Sequence, residues 1–232
     1  MNAKRGYVPE DDNNFSAAAL EKMKSAAHHI CYLINEGYDI KQASTFVGNH
    51  YVLSERQRLA LVRSVSATEQ LDKRKSKEKT SVEGCEVWID GFNTVITLEV
   101  MFSDSLLFEC MDGTIRDLAA LRGTYRIIPE TEAAVRILLD TLKEQNVDTV
   151  HILLDEPVSN SGRLKALIAE VGEGYPFKLD IRILKEVDKT LWEKENVITA
   201  DAIILDHCIS WMNLLKLCVE DHNARTLRVW EM

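Results

Sequence analysis

"EVWIDGFNTVITLEV" (residues 86–100) is a hydrophobic run that ends in an acid, turns on a glycine and sets an asparagine two residues further on. Val87-Trp88-Ile89 is rich in β-branched and aromatic residues and reads as a strand buried on both faces. A carboxylate at the mouth of such a strand is partly desolvated and needs donors, a counter-charge or a metal. In open α/β sheets ligands bind at the carboxyl ends of the strands, which is where Asp90 stands in this reading. The alternative is an Asp that only caps the helix or turn behind it. This stretch alone leaves the two readings open.

Outward from it, the chain after Gly84 alternates strands and helices, the pattern of an α/β fold with a mostly parallel sheet flanked by helices. The strands are "EVWID", "SLLFECM", "TVHILLD", "KLDIRIL" and a short "NVIT". Between them, "ETEAAVRILLDTLKEQN" and "SGRLKALIAEV" carry apolar residues at helical spacing. Before Gly84 the pattern is helical. Leu20, Met23, Ala27, Ile30 and Ile34 form one face, stopped at Gly37, and "DIKQASTFV" reads as a second helix. "SERQ" from Ser54 has capping-box spacing and opens a third. The expected organisation is a flexible N-terminus over 1–14, a helical domain over 15–80 that ends in a basic linker, and an α/β domain over 84–232. His28 and His29 are adjacent, so they point to different helix faces and read as structural or exposed.

The chain has 232 residues, 46% of them hydrophobic, enough for one medium domain and a small one. Its five cysteines are scattered without a Cys-x-x-Cys pair, which argues against a disulfide framework or zinc ribbon and fits a cytoplasmic protein. No apolar run reaches the ~18 residues of a membrane span. The net charge of −9 is unevenly spread: Arg56 to Lys79 holds eight Lys or Arg against Glu69, Asp72 and Glu78. A basic segment on an acidic body suits a polyanionic partner, and equally a solvated helix.

Three strands end alike, with "VWID" reaching Asp90, "HILLD" reaching Asp155 and "NVITAD" running into Asp201. A parallel sheet brings those ends to one edge. Clustered carboxylates cannot all be ionised uncompensated, and a hard cation such as Mg²⁺ or Mn²⁺ resolves the conflict while activating water. Each Asp as a simple helix cap is the competing account. After Asp155, Ser159, Ser161 and Arg163 surround a helix start suited to phosphate, or to plain N-capping. "FECMDGTIRDL" resembles the Asp-x-Asp-Gly-Thr signature of haloacid-dehalogenase-type phosphatases, but Cys110 occupies the nucleophile position and excludes that chemistry. Asp112 and Asp117 remain as possible further metal ligands, and Asp112-Gly113 equally reads as a turn.

"IDGFN" at a first strand, a central strand-end Asp and the late "TADAIIL" together resemble the PIN/NYN-like nuclease superfamily. With "DGTIRD" and "LLDEPVSNSGRL" they look closer still to a prokaryotic family pairing an N-terminal helical domain with a PIN-like domain. The resemblance implies a metal-dependent ribonuclease with Asp90, Asp155 and Asp201 as acidic ligands, Asn93 in support and Thr199 ahead of the last acid. It leaves the central-helix acid open among Glu99, Asp112, Asp117, Glu130 and Glu132. RNA is the expected partner, drawn by Arg74, Lys75 and Lys77, with self-association left open. The alternatives are a non-catalytic RNA-binding or regulatory scaffold and a small-molecule phosphohydrolase, the latter marked by a closed pocket in place of an open groove.

Overall fold

The computed structural model describes residues 4–119 and 123–231. Its first part is helical: α1 (Asp11–Asn14), α2 (Ala17–Asn35), α3 (Ile40–His50), α4 (Glu55–Ser64) and α5 (Thr68–Lys77). Local chemistry places these starts and stops. Asp39 caps α3 by accepting from the amides of Lys41 and Gln42, and Ser54 and Gln57 form the reciprocal capping box of α4. Met23, Ala26, Ala27 and Ile30 bury the inner stripe of α2.

Two parts of this region differ from the sequence reading. The segment expected to be flexible packs on the α/β body from Arg5 onward. Arg5 Nε pairs with the buried Glu99 at 2.7 Å, and Asp11 is gripped through two nitrogens of Arg56. The remainder of that expectation, residues 1–3, lies outside the described residues. The expected basic linker is instead α5. It shows no apolar period because the side chain it buries is a cation, Arg74.

The second part contains β1 (Glu78–Lys79), β2 (Glu86–Asp90), α6 (Gly91–Phe102), β3 (Leu107–Glu109), β4 (Ile115–Asp117) and α7 (Thr131–Glu144). It continues with β5 (Thr149–Asp155), α8 (Ser161–Val171), β6 (Lys178–Leu184), α9 (Val187–Trp192), β7 (Val197–Ile198), α10 (Ala202–His207), β8 (Trp211–Met212), α11 (Leu214–Asp221) and β9 (Thr226–Leu227). Six strands form one sheet in the order β1-β8-β7-β2-β5-β6, with every pairing parallel. β2 and β5 both lie inside the sheet with a strand on either side, as their apolar runs require. Helices α6, α7, α8 and α11 cover the face that carries Val87, Ile89, Val150, Ile152 and Leu154. The short α9 and α10 pack on the other face against Leu153 and Trp211. Asp90 stands opposite Leu153 in register, and so shares that second face.

"SLLFECM" contributes no strand to this sheet. β3 from it pairs antiparallel with β4 and parallel with β9 in a separate three-stranded sheet. That small sheet is the floor of the helical region: Phe108, Leu118, Leu227 and Val229 join Met23, Ile30 and Leu61 in one core, with Phe15 edge-on to Phe108 at 5.2 Å. The helical region therefore closes its core on residues from the far end of the chain. Among the described residues no helix is long and apolar enough to cross a membrane.

Gly91 explains how β2 turns directly into α6. A Cβ there would lie 2.7 Å from the Leu153 carbonyl oxygen and 2.6 Å from the Leu154 side chain. Backbone cannot yield as a flexible side chain does, so Gly91→Ala is expected to cost about 3 kcal/mol. Gly162→Ala in α8, where nothing lies within 4 Å, is the matched control and should be neutral or slightly stabilising. Urea midpoints of the two variants decide this; equal midpoints would remove the steric reading of Gly91.

Candidate functional site: a carboxylate cleft between helices and sheet

Asp90 closes β2 and stands at the N-cap position of α6, yet its side chain makes no capping hydrogen bond. It accepts instead from the Thr199 hydroxyl, at 2.9 Å, across from the end of β7. Asn93, one turn into α6, accepts from the Ala200 amide at 2.9 Å. The Asp-Gly-x-Asn stretch thus clamps the β7–α10 connection to the end of the central strand. Asp201 does cap: its Oδ1 accepts from the amides of Ile203 and Ile204.

The three strand-end acids line one cleft of about 620 Å³. Asp90 is buried, and its pKa is raised from 3.8 to about 8. Loss of hydration is the main cause; the Thr199 hydrogen bond opposes it, and the charges of Asp201, Asp155 and Asp188 add to it. Asp155 is also pushed up, by burial and then by Asp188. Asp188 is raised by burial and then by Asp201. Asp90 therefore feels the charge of three other acids.

Asp188 was not singled out in the sequence. The signal was available: "KLDIRILKEVD" places it four residues beyond a strand, at the same carboxyl edge as the others. Among the described residues, no three His, Cys, Asp or Glu side chains stand close enough to hold a metal ion directly. The donors are all carboxylate oxygens, the ligand type of hard cations, and their mutual repulsion is what positive charge relieves. A cation held here would keep water in much of its shell, as Mg²⁺ usually does.

The structure separates the remaining candidates. Asp112 is engaged by two arginines, Arg74 at 2.7 Å and Arg116 at 2.5 Å. Burial raises its pKa, but Arg116, Thr114 and Arg74 outweigh this and hold it below the usual carboxylate range. It is an ion-pair anchor and not a ligand of the cleft. Asp117 lines the cleft but accepts from the Thr97 hydroxyl and the Ala119 amide. Glu99 lies in the interior, bonded to Tyr125, Thr131 and Arg5, and Glu132 pairs with Arg136 on the surface.

The expected RNA contacts are also redistributed. Arg74 is buried, bonded to Asp112, Ser66 and both oxygens of Asp206. Lys77 donates to the carbonyls of Leu205 and Cys208 at the end of α10, and Lys75 pairs with Glu78 at 2.6 Å. Ser159 exchanges hydrogen bonds with the Tyr125 backbone, so its hydroxyl holds the 123–125 loop. Ser161 opens α8 behind Asn160, whose φ of 63° makes the turn, and Arg163 is exposed one step on. Ser159, Ser161 and Arg163 are not among the residues lining the cleft.

Comparison with known proteins follows the same division of the chain. A family model described as "Protein of unknown function (DUF434)" matches residues 22–77, and one described as "Domain of unknown function (DUF5616)" matches residues 79–217. They meet at β1. An uncharacterised protein of Methanocaldococcus jannaschii is 35% identical over 185 residues, covering 79% of this chain and 88% of that protein. No solved structure matches the chain. With most of its α/β body inside one family model and a relative matched across both regions, the chain belongs to the DUF5616 family and carries a DUF434 region ahead of it.

Proposed function

We propose that the protein is a divalent-metal-dependent ribonuclease of the PIN/NYN-like kind, acting on RNA in the cytoplasm. The observation that carries this is the meeting of Asp90, Asp155, Asp188 and Asp201 at one sheet edge, with Asp90 raised to about 8. A buried acid with a strongly shifted pKa, sitting in a cleft beside other acids, is a functional-site candidate. Mg²⁺ or Mn²⁺ bound there would supply an activated water and neutralise phosphate charge. Asp90, Asp155 and Asp201 would hold it, with Asp188 beside them. Asp90 keeps a proton at neutral pH in the free protein, so cation binding releases that proton and strengthens as pH rises toward 8. Thr199 and Asn93 fix the Asp90 and Asp201 sides of the cleft relative to each other. The five cysteines are all free, which suits a reducing compartment.

The test is a thermal melt with and without Mn²⁺, run beside an RNA cleavage assay, on wild type and Asp155→Asn. At a free concentration of about 100 times Kd, Mn²⁺ should raise the wild-type Tm by roughly 5–10 °C. Asp155→Asn should lose most of that rise together with cleavage. An unchanged wild-type melt at millimolar Mn²⁺ with intact RNA would end the nuclease reading. A second reading, an RNA-binding scaffold that does not cut, draws support from Asp112 and Asp117, whose carboxylates are already engaged by protein donors. RNA binding without cleavage in the same assay would select it.

A further inference from the structure

We propose that Arg63 of the N-terminal helices is a phosphate-binding residue of the carboxylate cleft, so that the RNA strand lies between the two regions and the helical region completes the site. The inference rests on the ribonuclease reading and deepens it. Three arginines line the cleft: Arg63, Arg74 and Arg116. The side chains of Arg74 and Arg116 are 3% and 9% exposed and are spent on Asp112 and Asp206, whereas that of Arg63 is 32% exposed.

Arg63 lies in the last turn of α4, and the backbone holds it in place. Its Nη1 donates to the Asp117 carbonyl, and its own carbonyl accepts from the Arg116 guanidinium. The Asp117 carboxylate stands 3.6 Å away, longer than the ~2.7–2.9 Å of a charge-assisted hydrogen bond. That carboxylate already accepts from Thr97 and Ala119. Arg63 is therefore oriented without being tightly neutralised, and among the described residues its Nε and Nη2 have no hydrogen-bond partner.

Asp90, Asp155 and Asp201 line the same cleft as Arg63. A cluster of acids by itself repels a polyanion; a guanidinium in the same cleft offers the planar fork that matches a phosphate. Phe92, Ile96 and Val158 give the same cleft apolar surface on which a base or sugar can rest. The arrangement grips one phosphate through Arg63 while its neighbour on the strand approaches the carboxylates.

The experiment uses the full chain, a fluorescein-labelled single-stranded RNA and Ca²⁺, a hard cation that takes the same oxygen ligands. Affinity is measured across a salt series for wild type, Arg63→Gln and Asp117→Asn, with melts of all three. Arg63→Gln should weaken binding about tenfold and reduce the salt slope by about 0.7, the value of one lost phosphate contact on a single strand. Asp117→Asn removes the competing charge and should tighten binding; it decides the matter if Arg63→Gln melts too low to assay. Wild-type affinity and slope in Arg63→Gln, or unchanged affinity in Asp117→Asn, would overturn the proposal, as would a wild type that binds no RNA. The Mn²⁺-induced rise in Tm, which Arg63→Gln should keep, separates the two failures. If that rise and cleavage persist while Arg63→Gln binds normally, only the inference about Arg63 falls.

Discussion

Asp90→Asn should make the protein much more stable at pH 8.5 and only about 1 kcal/mol more stable at pH 4.5. The wild-type carboxyl titrates near 3.8 when unfolded and near 8 when folded, so between those values the folded state holds a proton that the unfolded state has released. Stability therefore falls as pH rises through that window, by up to about 1.4 kcal/mol per unit, and levels off above 8. The full loss is on the order of 5 kcal/mol. Asn has the shape of the protonated acid, still accepts from Thr199 and does not titrate. The difference between the two urea-unfolding profiles isolates this one group from every other acid in the chain. The same variant should lose the Mn²⁺-induced rise in Tm, because the amide, unlike the acid, cannot release a proton to become a charged ligand when the cation binds. Parallel stability profiles across pH 4.5–8.5 would show that Asp90 is not buried as a proton-holding acid.

The second large effect is expected at Arg74. Sequence alone placed it in an RNA-attracting segment with Lys75 and Lys77. The structure makes it the hub of a buried network joining α5, the Asp112 turn and α10. Arg74→Ala should cost about 3–5 kcal/mol, because it leaves Asp206 without its cation and removes one of two from Asp112. Arg74→Met restores the volume but not the charge and should recover only part. Lys75→Ala, at an exposed ion pair with Glu78, should change stability by less than about 1 kcal/mol. Chemical denaturation of the three variants orders them, and an Arg74→Ala midpoint equal to that of Lys75→Ala would contradict the network. Any fall in RNA affinity in Arg74→Ala reflects a loosened interface between the two regions before it reflects a lost phosphate contact.

What the sequence determined by itself is the class of fold and its central elements. β2, β5, β6 and α8 run over the residues their patterns marked, because the apolar runs of β2 and β5, the alternation of the edge strand β6 and the helical period of α8 each leave one way to bury the side chains. The Ser54 capping box was legible because its chemistry is confined to four residues. Asp90, Asp155 and Asp201 could be nominated from strand ends alone.

Tertiary structure decided the rest. α5 buries an arginine and so carries no apolar period; only Asp112 and Asp206, at distances of 38 and 132 residues along the chain, make that burial tolerable. β3 is too short for its pattern to say which sheet it joins, and its pairing with β4 and β9 depends on where the helical region needs a floor. Asp188 comes near enough for its charge to reach Asp90 and Asp155 because β6 runs parallel to β5 and ends at the same edge, a consequence of parallel topology that no local spacing encodes. Whether an acid is ligand, cap or ion-pair partner depends on which distant donors reach it. Asp90 meets one hydroxyl and three carboxylates, while Asp112 meets two guanidinium groups, and that difference in surroundings separates their roles.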